Sequence, residues 1–311
     1  MILTGDILKK HIGTIEKDTN VAIIAPFWSM AKRELKKKVG AELVNGFASQ
    51  DTELRDLLEA WVCWYAYSLA FPHMKLRVGN SGIAKGLPAN HIAVTKWEYA
   101  DSRESNIEMQ DALLEMIFDY LEAEKPSAWT STDQYASRQS RFIRSSSELQ
   151  KIIPMVGKSS RFFDQLVTYI GRAEREYILD LLTEDVFEEL KSKRNNPAKS
   201  ATEERLIGLV QQAVAHIALY EAMPYLPLKI DEIGIRQVRR KEALATEEIA
   251  DKKDIKMVRK ALWTDAEFYV GKLKSYMMKV SSPTVYPTFF EIWGNVPGDV
   301  TDFSQNSHVM L

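Results

Sequence analysis

The chain writes one loop twice. "FPHMKLRVGNSGIAKG" (Phe71 to Gly86) and "MPYLPLKIDEIGIRQV" (Met223 to Val238) align at a shift of 152 residues, which sets Pro72 on Pro224, Leu76 on Leu228, Val78 on Ile230, Gly82 on Gly234 and Ile83 on Ile235. The echo reaches well beyond the loop. At an earlier shift of 142, Thr4 meets Ser146, Asp6 meets Glu148, Ile24 meets Leu166 and Phe27 meets Tyr169, and "AKREL" (from Ala31) lies beside "AEREY" (from Ala173). Downstream, at 152 again, Glu115 meets Glu267, Met116 meets Phe268 and Leu121 meets Leu273. A repeat of this length constrains the fold before anything else does, because each copy must be a unit that the chain can build twice. The second copy carries about ten extra residues, which the alignment assigns to the polar string "KSKRNNPAKSA" (Lys191 to Ala201), read as a surface-loop insertion.

Each copy reads as helical. A short capped helix opens it, with Thr4 or Ser146 as N-cap and an acidic residue in the first turn. A longer amphipathic helix follows. In the second copy Leu166, Tyr169, Ile170, Ala173, Tyr177, Ile178 and Leu181 recur at three and four. In the first, Pro26 stands early in that helix, either within its first turn or at a kink. The third helix is the most apolar and ends near Pro72 or Pro224, because a residue before proline leaves the helical region. Its second copy begins with a capping box at Ser200 to Glu203. A short extended segment and a glycine turn come next, and a long helix closes the unit. The expected class is mainly all-α: a tandem duplication of a helical-bundle unit with short extended loops and an irregular C-terminal tail. The expected divisions are unit 1 at 1–125, a Ser-rich connector at 126–145, unit 2 at 146–280, and the tail at 281–311.

With 311 residues, 45% of them hydrophobic, each copy can bury its own core, and a net charge of −2 gives no general pull toward nucleic acid or membrane. Cys63 is the only cysteine, which excludes an intramolecular disulfide and a Cys-clustered zinc site; within "EAWVCWYAYSLAF" it reads as a small buried apolar side chain. The start lacks the basic and apolar regions of a secretory signal, and no run approaches the ~18 apolar residues of a membrane span.

Motifs for catalysis are missing. "MVGKSS" (Met155 to Ser160) holds Gly-Lys-Ser, but Ile152 stands where a phosphate loop needs its first glycine. "GNSG" (Gly79 to Gly82) would need glycine at Ile83 to be a nucleophile elbow. None of the five histidines lies three residues after a glutamate or in a His-Glu-x-x-His pattern. His216, on the apolar third helix, reads as a core histidine. The sequence calls for no cofactor and no metal. Two basic clusters stand out: Lys36, Lys37 and Lys38 at a helix end, and Arg239 and Arg240 after the second glycine turn. The lysines read as complementing the helix C-terminus and the arginines as a solvated face or subunit salt bridges, with DNA phosphate contact as the functional alternative for each. Trp129 and Trp293 lie in polar surroundings after the last helix of each copy, so each either folds back on its own unit or contacts a neighbouring chain.

A helix with Ala-x-Arg-Glu, an apolar helix, then Leu-x-(Val/Ile)-x-x-x-Gly-Ile, a further helix and a Trp-containing extension together resemble a poorly characterised family encoded in Bacteroidetes phages and prophages. Its members are similar to head–tail connector (adaptor) proteins. The residues that correspond are Ala31, Arg33 and Glu34, their counterparts Ala173, Arg175 and Glu176, and the pairs Gly82–Ile83 and Gly234–Ile235. The resemblance implies a virion structural protein, made in the host cytoplasm, that forms a ring of its own copies below the portal. Its partners would be the portal and neighbouring tail or connector proteins, with packaged DNA touched non-specifically and no membrane. It makes Trp129, Trp293, Gly82, Ile83, Gly234 and Ile235 subunit-contact candidates. The alternative left open is a helical protein-binding or regulatory module acting as monomer or dimer.

Overall fold

The computed structural model describes residues 1–13, 15, 21–75, 77–79, 82–84, 95–226, 228–231, 234–237 and 252–294. The described chain is helical apart from two small hairpins, and it forms two compact units. Unit 1 is Met1–Arg138 with Lys158–Ser160, and unit 2 holds Gln139–Gly157 and Arg161–Arg239 followed by the C-terminal part.

In unit 1, Thr4 caps α1 (Gly5–His11) by accepting the Ile7 N–H at 3.2 Å. Pro26 sits in the first turn of α2 (Ala25–Val39), where its missing N–H is no loss. Short α3 (Ala41–Asn45) leads to α4 (Thr52–Ala70), capped by Asp51. The hairpin of β1 (Arg77–Gly79) and β2 (Gly82–Ala84) precedes α5 (Lys96–Glu124), which opens on a Thr95/Glu98 capping box. The apolar α4 is central and packs on α1, α2 and α5. Leu54, Leu58, Val62, Cys63 and Ala66 are buried there against Leu8, Leu35 and Ile117.

Unit 2 repeats this plan. Helix α8 (Ser146–Ile152) is capped by Ser145, one residue before the expected Ser146, which is instead the first helical residue. Helix α9 (Ser160–Ala173) runs through a π-helical turn, Glu174–Leu179, into α10 (Asp180–Leu182). The π turn shifts the stripe read from the sequence. After Leu166, Ile170 and Ala173, the next buried apolar residues are Ile178 and Leu182, while Tyr177 and Leu181 are only half-buried. Helix α11 (Glu184–Arg194) precedes α12 (Ala201–Ala222), which carries the expected Ser200/Glu203 capping box. The hairpin of β3 (Leu228–Asp231) and β4 (Gly234–Gln237) leads to α13 (Lys252–Val280), and α12 packs on α8, α11 and α13 as α4 does in unit 1. Each unit has its own apolar core.

Two segments depart from the sequence reading. The stretch 126–145, expected as a Ser-rich connector, holds α6 (Ser127–Thr130) and α7 (Asp133–Gln139) and buries Trp129, Phe142 and Ile143. Its serines turn and cap short helices around buried aromatics. The tail expected at 281–311 begins with a bridge between Ser282 and Val285 and then forms α14 (Pro287–Trp293). Pro287 stands in the first turn of that helix, where helices accept proline. Residues 295–311 lie outside the described residues.

Candidate functional site

The loop written twice folds twice into the same hairpin. In unit 1 Val78 pairs with Ile83 and Gly79 with Gly82; in unit 2 Ile230 pairs with Ile235 and Asp231 with Gly234, at the same register. Gly82 and Gly234 were read as turn residues. Each is instead the first residue of a returning strand, in the pair that closes a two-residue connection. A side chain is easily dispensed with there and backbones approach closely. The residues after the hairpins, including Arg239 and Arg240, lie outside the described residues, as do most of the loops from Met74 to His91 and Leu226 to Ala243.

The junction before α3 in unit 1 and α11 in unit 2 is also duplicated. Gly40 ends α2 at φ 92°, ψ 154°, and Thr183 ends α10 at φ 73°, ψ 154°. Both lie in a region that only glycine enters without strain. A Cβ on Gly40 would stand 2.5 Å from Thr132 Cγ2, while Thr183 Oγ1 lies 3.1 Å from Thr288 Oγ1. Beyond each long helix the chain turns through a left-handed residue before a proline: Lys125 (φ 45°) before Pro126, and Tyr286 (φ 53°) before Pro287. A short helix follows and seats a fully buried aromatic: Trp129 in α6, which packs on α3, and Phe289 in α14, which packs on α11. The counterpart of Trp129 is therefore Phe289.

Neither tryptophan reaches away from its unit. Trp129 is wholly buried, its ring 6.0 Å from Phe118 and 5.6 Å from Tyr135. As a subunit-contact candidate it is corrected to a core anchor, because no face of its ring is open. Trp293 is half-buried against the unit 2 core, with Lys274 Nζ 3.4 Å from its ring centroid.

The strand of chain entering unit 2 is held by a buried polar clamp. Phe142 donates its N–H to Glu174 at 2.7 Å, and its carbonyl accepts from Arg194 and Gln211, each at 2.8 Å. Lys191 pairs with Glu174 at 3.3 Å, and Arg194 pairs with Glu148 at 2.8 Å. Arg144 also bonds Asn195. Burial pushes the Glu174 carboxyl above its ordinary value, and the Phe142 N–H and Lys191 pull it partly back. The clamp corrects part of the reading of Lys191 to Ala201 as a surface-loop insertion: residues 195–200 are a non-helical, mostly exposed loop, but the first four residues are not. Lys191 and Arg194 belong to α11 and turn inward, Arg194 to the Phe142 carbonyl that the buried segment leaves open and Lys191 to the Glu174 carboxylate.

The remaining titratable candidates are structural. His216 donates Nδ1–H to the Gln212 carbonyl at 2.7 Å and stacks on Tyr269. Cys63 is fully buried, and burial pushes its thiol pKa up. Lys36, Lys37 and Lys38 form the last turn of α2, where they complement the helix C-terminus, and Lys37 pairs with Glu34 at 2.8 Å. Among the described residues no group of His, Cys, Asp and Glu is placed to hold a metal, and no helix is long and apolar enough to cross a membrane. An exposed apolar residue stands at the same point of both long helices. Met116 of α5 and Phe268 of α13, equivalent in the repeat, are each 53% exposed.

The architecture defines a tandem-repeat protein of two α-helical units, each interrupted by one hairpin. The profile of a family of unknown function, DUF6712, matches residues 30–139 and again 178–292, so that most of the chain is covered and each match falls within one copy; the chain belongs to that family. No curated protein and no solved structure matches it.

Proposed function

We propose that this protein is a virion structural protein: a head–tail connector of the adaptor type that assembles into a ring below the portal and performs no catalysis. The observation that carries the reading is the duplication itself. One chain builds the same helical unit twice, with the same hairpin at the same register and an exposed apolar residue at the same point of the long helix. Repeated surfaces of this kind serve assembly, since a contact between unlike surfaces of identical chains propagates and closes into a ring when the rotation permits. The buried clamp around Glu174 fits a part that must hold its shape rather than open around a substrate. In this role the protein is made in the host cytoplasm and ends in the virion. The portal and neighbouring tail or connector proteins are its partners, and the lysine-rich end of α2 faces DNA.

The test is the native mass of the full chain by light scattering, with negative-stain images, alone and mixed with a portal assembly. Rings of roughly a dozen chains, or stoichiometric addition to the portal, support the reading. A discrete monomer or dimer that ignores the portal and captures a different partner would replace it with a helical binding module.

A further inference from the structure

The two long helices are equivalent in the repeat, yet their charges are opposite. Helix α5 carries nine Asp and Glu against two Lys and Arg, and α13 carries eight Lys and Arg against three Asp and Glu. Three exposed positions near the start of the helices carry the reversal. At the 152-residue shift, Asp101 corresponds to Lys253, Glu104 to Lys256 and Glu108 to Lys260, and all six side chains are exposed. Spaced at i, i+3 and i+7, they lie on one face of each helix. That face continues into the exposed Met116 in one copy and the exposed Phe268 in the other. A merely solvated face needs neither an apolar residue kept at the same exposed point nor three charges of inverted sign at matching positions.

We propose that the α5 face of one chain docks on the α13 face of a second copy of the same chain. Like faces repel: α5 against α5 sets acids on acids, and α13 against α13 sets lysines on lysines. Only the unlike pairing is attractive, so charge selects the partner face. Each chain carries one face of each kind, so a contact between unlike faces can pass from chain to chain as a ring requires. The inference deepens the ring reading and rests on it for the claim that chains self-associate, and it names the surface through which they do so.

Two triple variants of the full chain test it: Asp101→Lys/Glu104→Lys/Glu108→Lys, and Lys253→Glu/Lys256→Glu/Lys260→Glu. The first has two basic faces and the second two acidic ones. Association is followed by light scattering and sedimentation, with circular dichroism checking that each variant is folded. The wild type should self-associate at low salt and weaken toward 1 M salt, where charges are screened within ~3 Å. Each variant alone should associate roughly tenfold or more weakly. An equimolar mixture of the two should assemble again, because every acidic face then meets a basic one. The milder pair Glu108→Lys and Lys260→Glu gives the same comparison should a triple variant not fold. Wild-type rings that ignore every reversal overturn this interface while leaving the ring reading intact. A mixture that stays dissociated overturns it too. So does a wild type monomeric at all concentrations whose α13 variant loses binding to duplex DNA, since the basic face would then serve nucleic acid. Failure of that monomer to join a portal assembly would additionally sink the ring reading.

Discussion

Gly40→Ala should be far more damaging than a one-carbon change on a surface turn normally is. Two independent penalties add. The first is conformational: φ 92°, ψ 154° lies in the region that costs a non-glycine residue about 1–3 kcal/mol. The second is steric: the new Cβ would sit 2.5 Å from Thr132 Cγ2 and 3.2 Å from Thr132 Cβ, and such overpacking costs about 1–3 kcal/mol. Stiffening of the unfolded chain returns about 0.4–1 kcal/mol, leaving a net loss of about 1–6 kcal/mol. The terms separate by a second substitution. Thr132→Ser removes Cγ2 but keeps the hydroxyl, which donates to the Trp129 carbonyl at 2.7 Å and accepts from the Tyr135 N–H at 3.1 Å. In the Gly40→Ala background it should recover about 1–2 kcal/mol, the clash alone, and leave the backbone strain. The assay is urea unfolding followed by tryptophan emission. Five of the seven tryptophans (Trp28, Trp61, Trp64, Trp97 and Trp129) belong to unit 1, so the signal follows the unit that carries the change. A chain of two units need not unfold in one step. A Gly40→Ala midpoint within error of wild type would refute the reasoning, and a double variant no better than the single one would refute the assignment of the clash to Thr132.

Thr183, at the matching junction, should invert the usual preference for alanine over glycine. Thr183→Gly trades about 1–3 kcal/mol of strain for the contact with Thr288 and extra chain entropy, ending within about 1 kcal/mol of wild type, while Thr183→Ala keeps the strain, loses the hydroxyl and is the less stable of the two by thermal melting. Trp129→Ala should lose about 3–5 kcal/mol from the unit 1 transition. Trp129→Phe should lose much less, because it keeps an aromatic as Phe289 does in unit 2 and removes a buried indole N–H that has no hydrogen-bond partner; equal losses would remove Trp129 from the role of anchor. Glu174→Ala strands the Phe142 N–H and the Lys191 ammonium and should cost about 3–5 kcal/mol, whereas Glu174→Gln still offers the N–H an acceptor. Because the Glu174 pKa is raised above its ordinary value of 4.5, its contribution is fully present below that pH and is lost as pH rises through the raised value. The stability of Glu174→Gln relative to wild type should therefore increase upward from about pH 4.5, and melting curves showing the opposite slope would overturn the assignment.

What was legible in the sequence was what neighbours in the chain decide. Thr4 capping α1, the Ser200/Glu203 box, and the ends of α4 and α12 ahead of Pro72 and Pro224 all follow from bonds or clashes within a few residues. The repeat was legible because the order and spacing of many weak matches agree, and the paired hairpins and the twofold family match fall on it. The clamp was not legible. Lys191, Arg194 and Asn195 look like surface punctuation, and their partners are the Glu174 carboxylate, the Phe142 carbonyl and the Arg144 guanidinium, the last two about fifty residues earlier in the chain. The two tryptophans misled for a related reason. Polar neighbours say that a segment is wet on average, but "EKPSAWT" and "TVYPTFF" each turn through a left-handed residue at the proline and aim one aromatic inward. The shared local signal was the proline after the long helix, and the tryptophans were not equivalent to begin with.

The face charges give the duplication a physical purpose. A single unit copied into a homo-oligomer has only one version of each surface. A long-helix face can then meet its own kind only if the face is self-complementary, which favours two-fold pairs that close on themselves. Once two copies are fused, the same face exists twice per chain and its versions can diverge. The sequence shows divergence of that kind: apolar core positions stay apolar, as with Leu121 and Leu273, both fully buried. The hairpin keeps its register and the exposed apolar residue keeps its place, while Asp101, Glu104 and Glu108 face lysine counterparts. Drift on an idle surface would scatter substitutions of either sign. Three inversions on one exposed helix face, beside an apolar residue that stays exposed in both copies, are what selection for an unlike contact would leave behind.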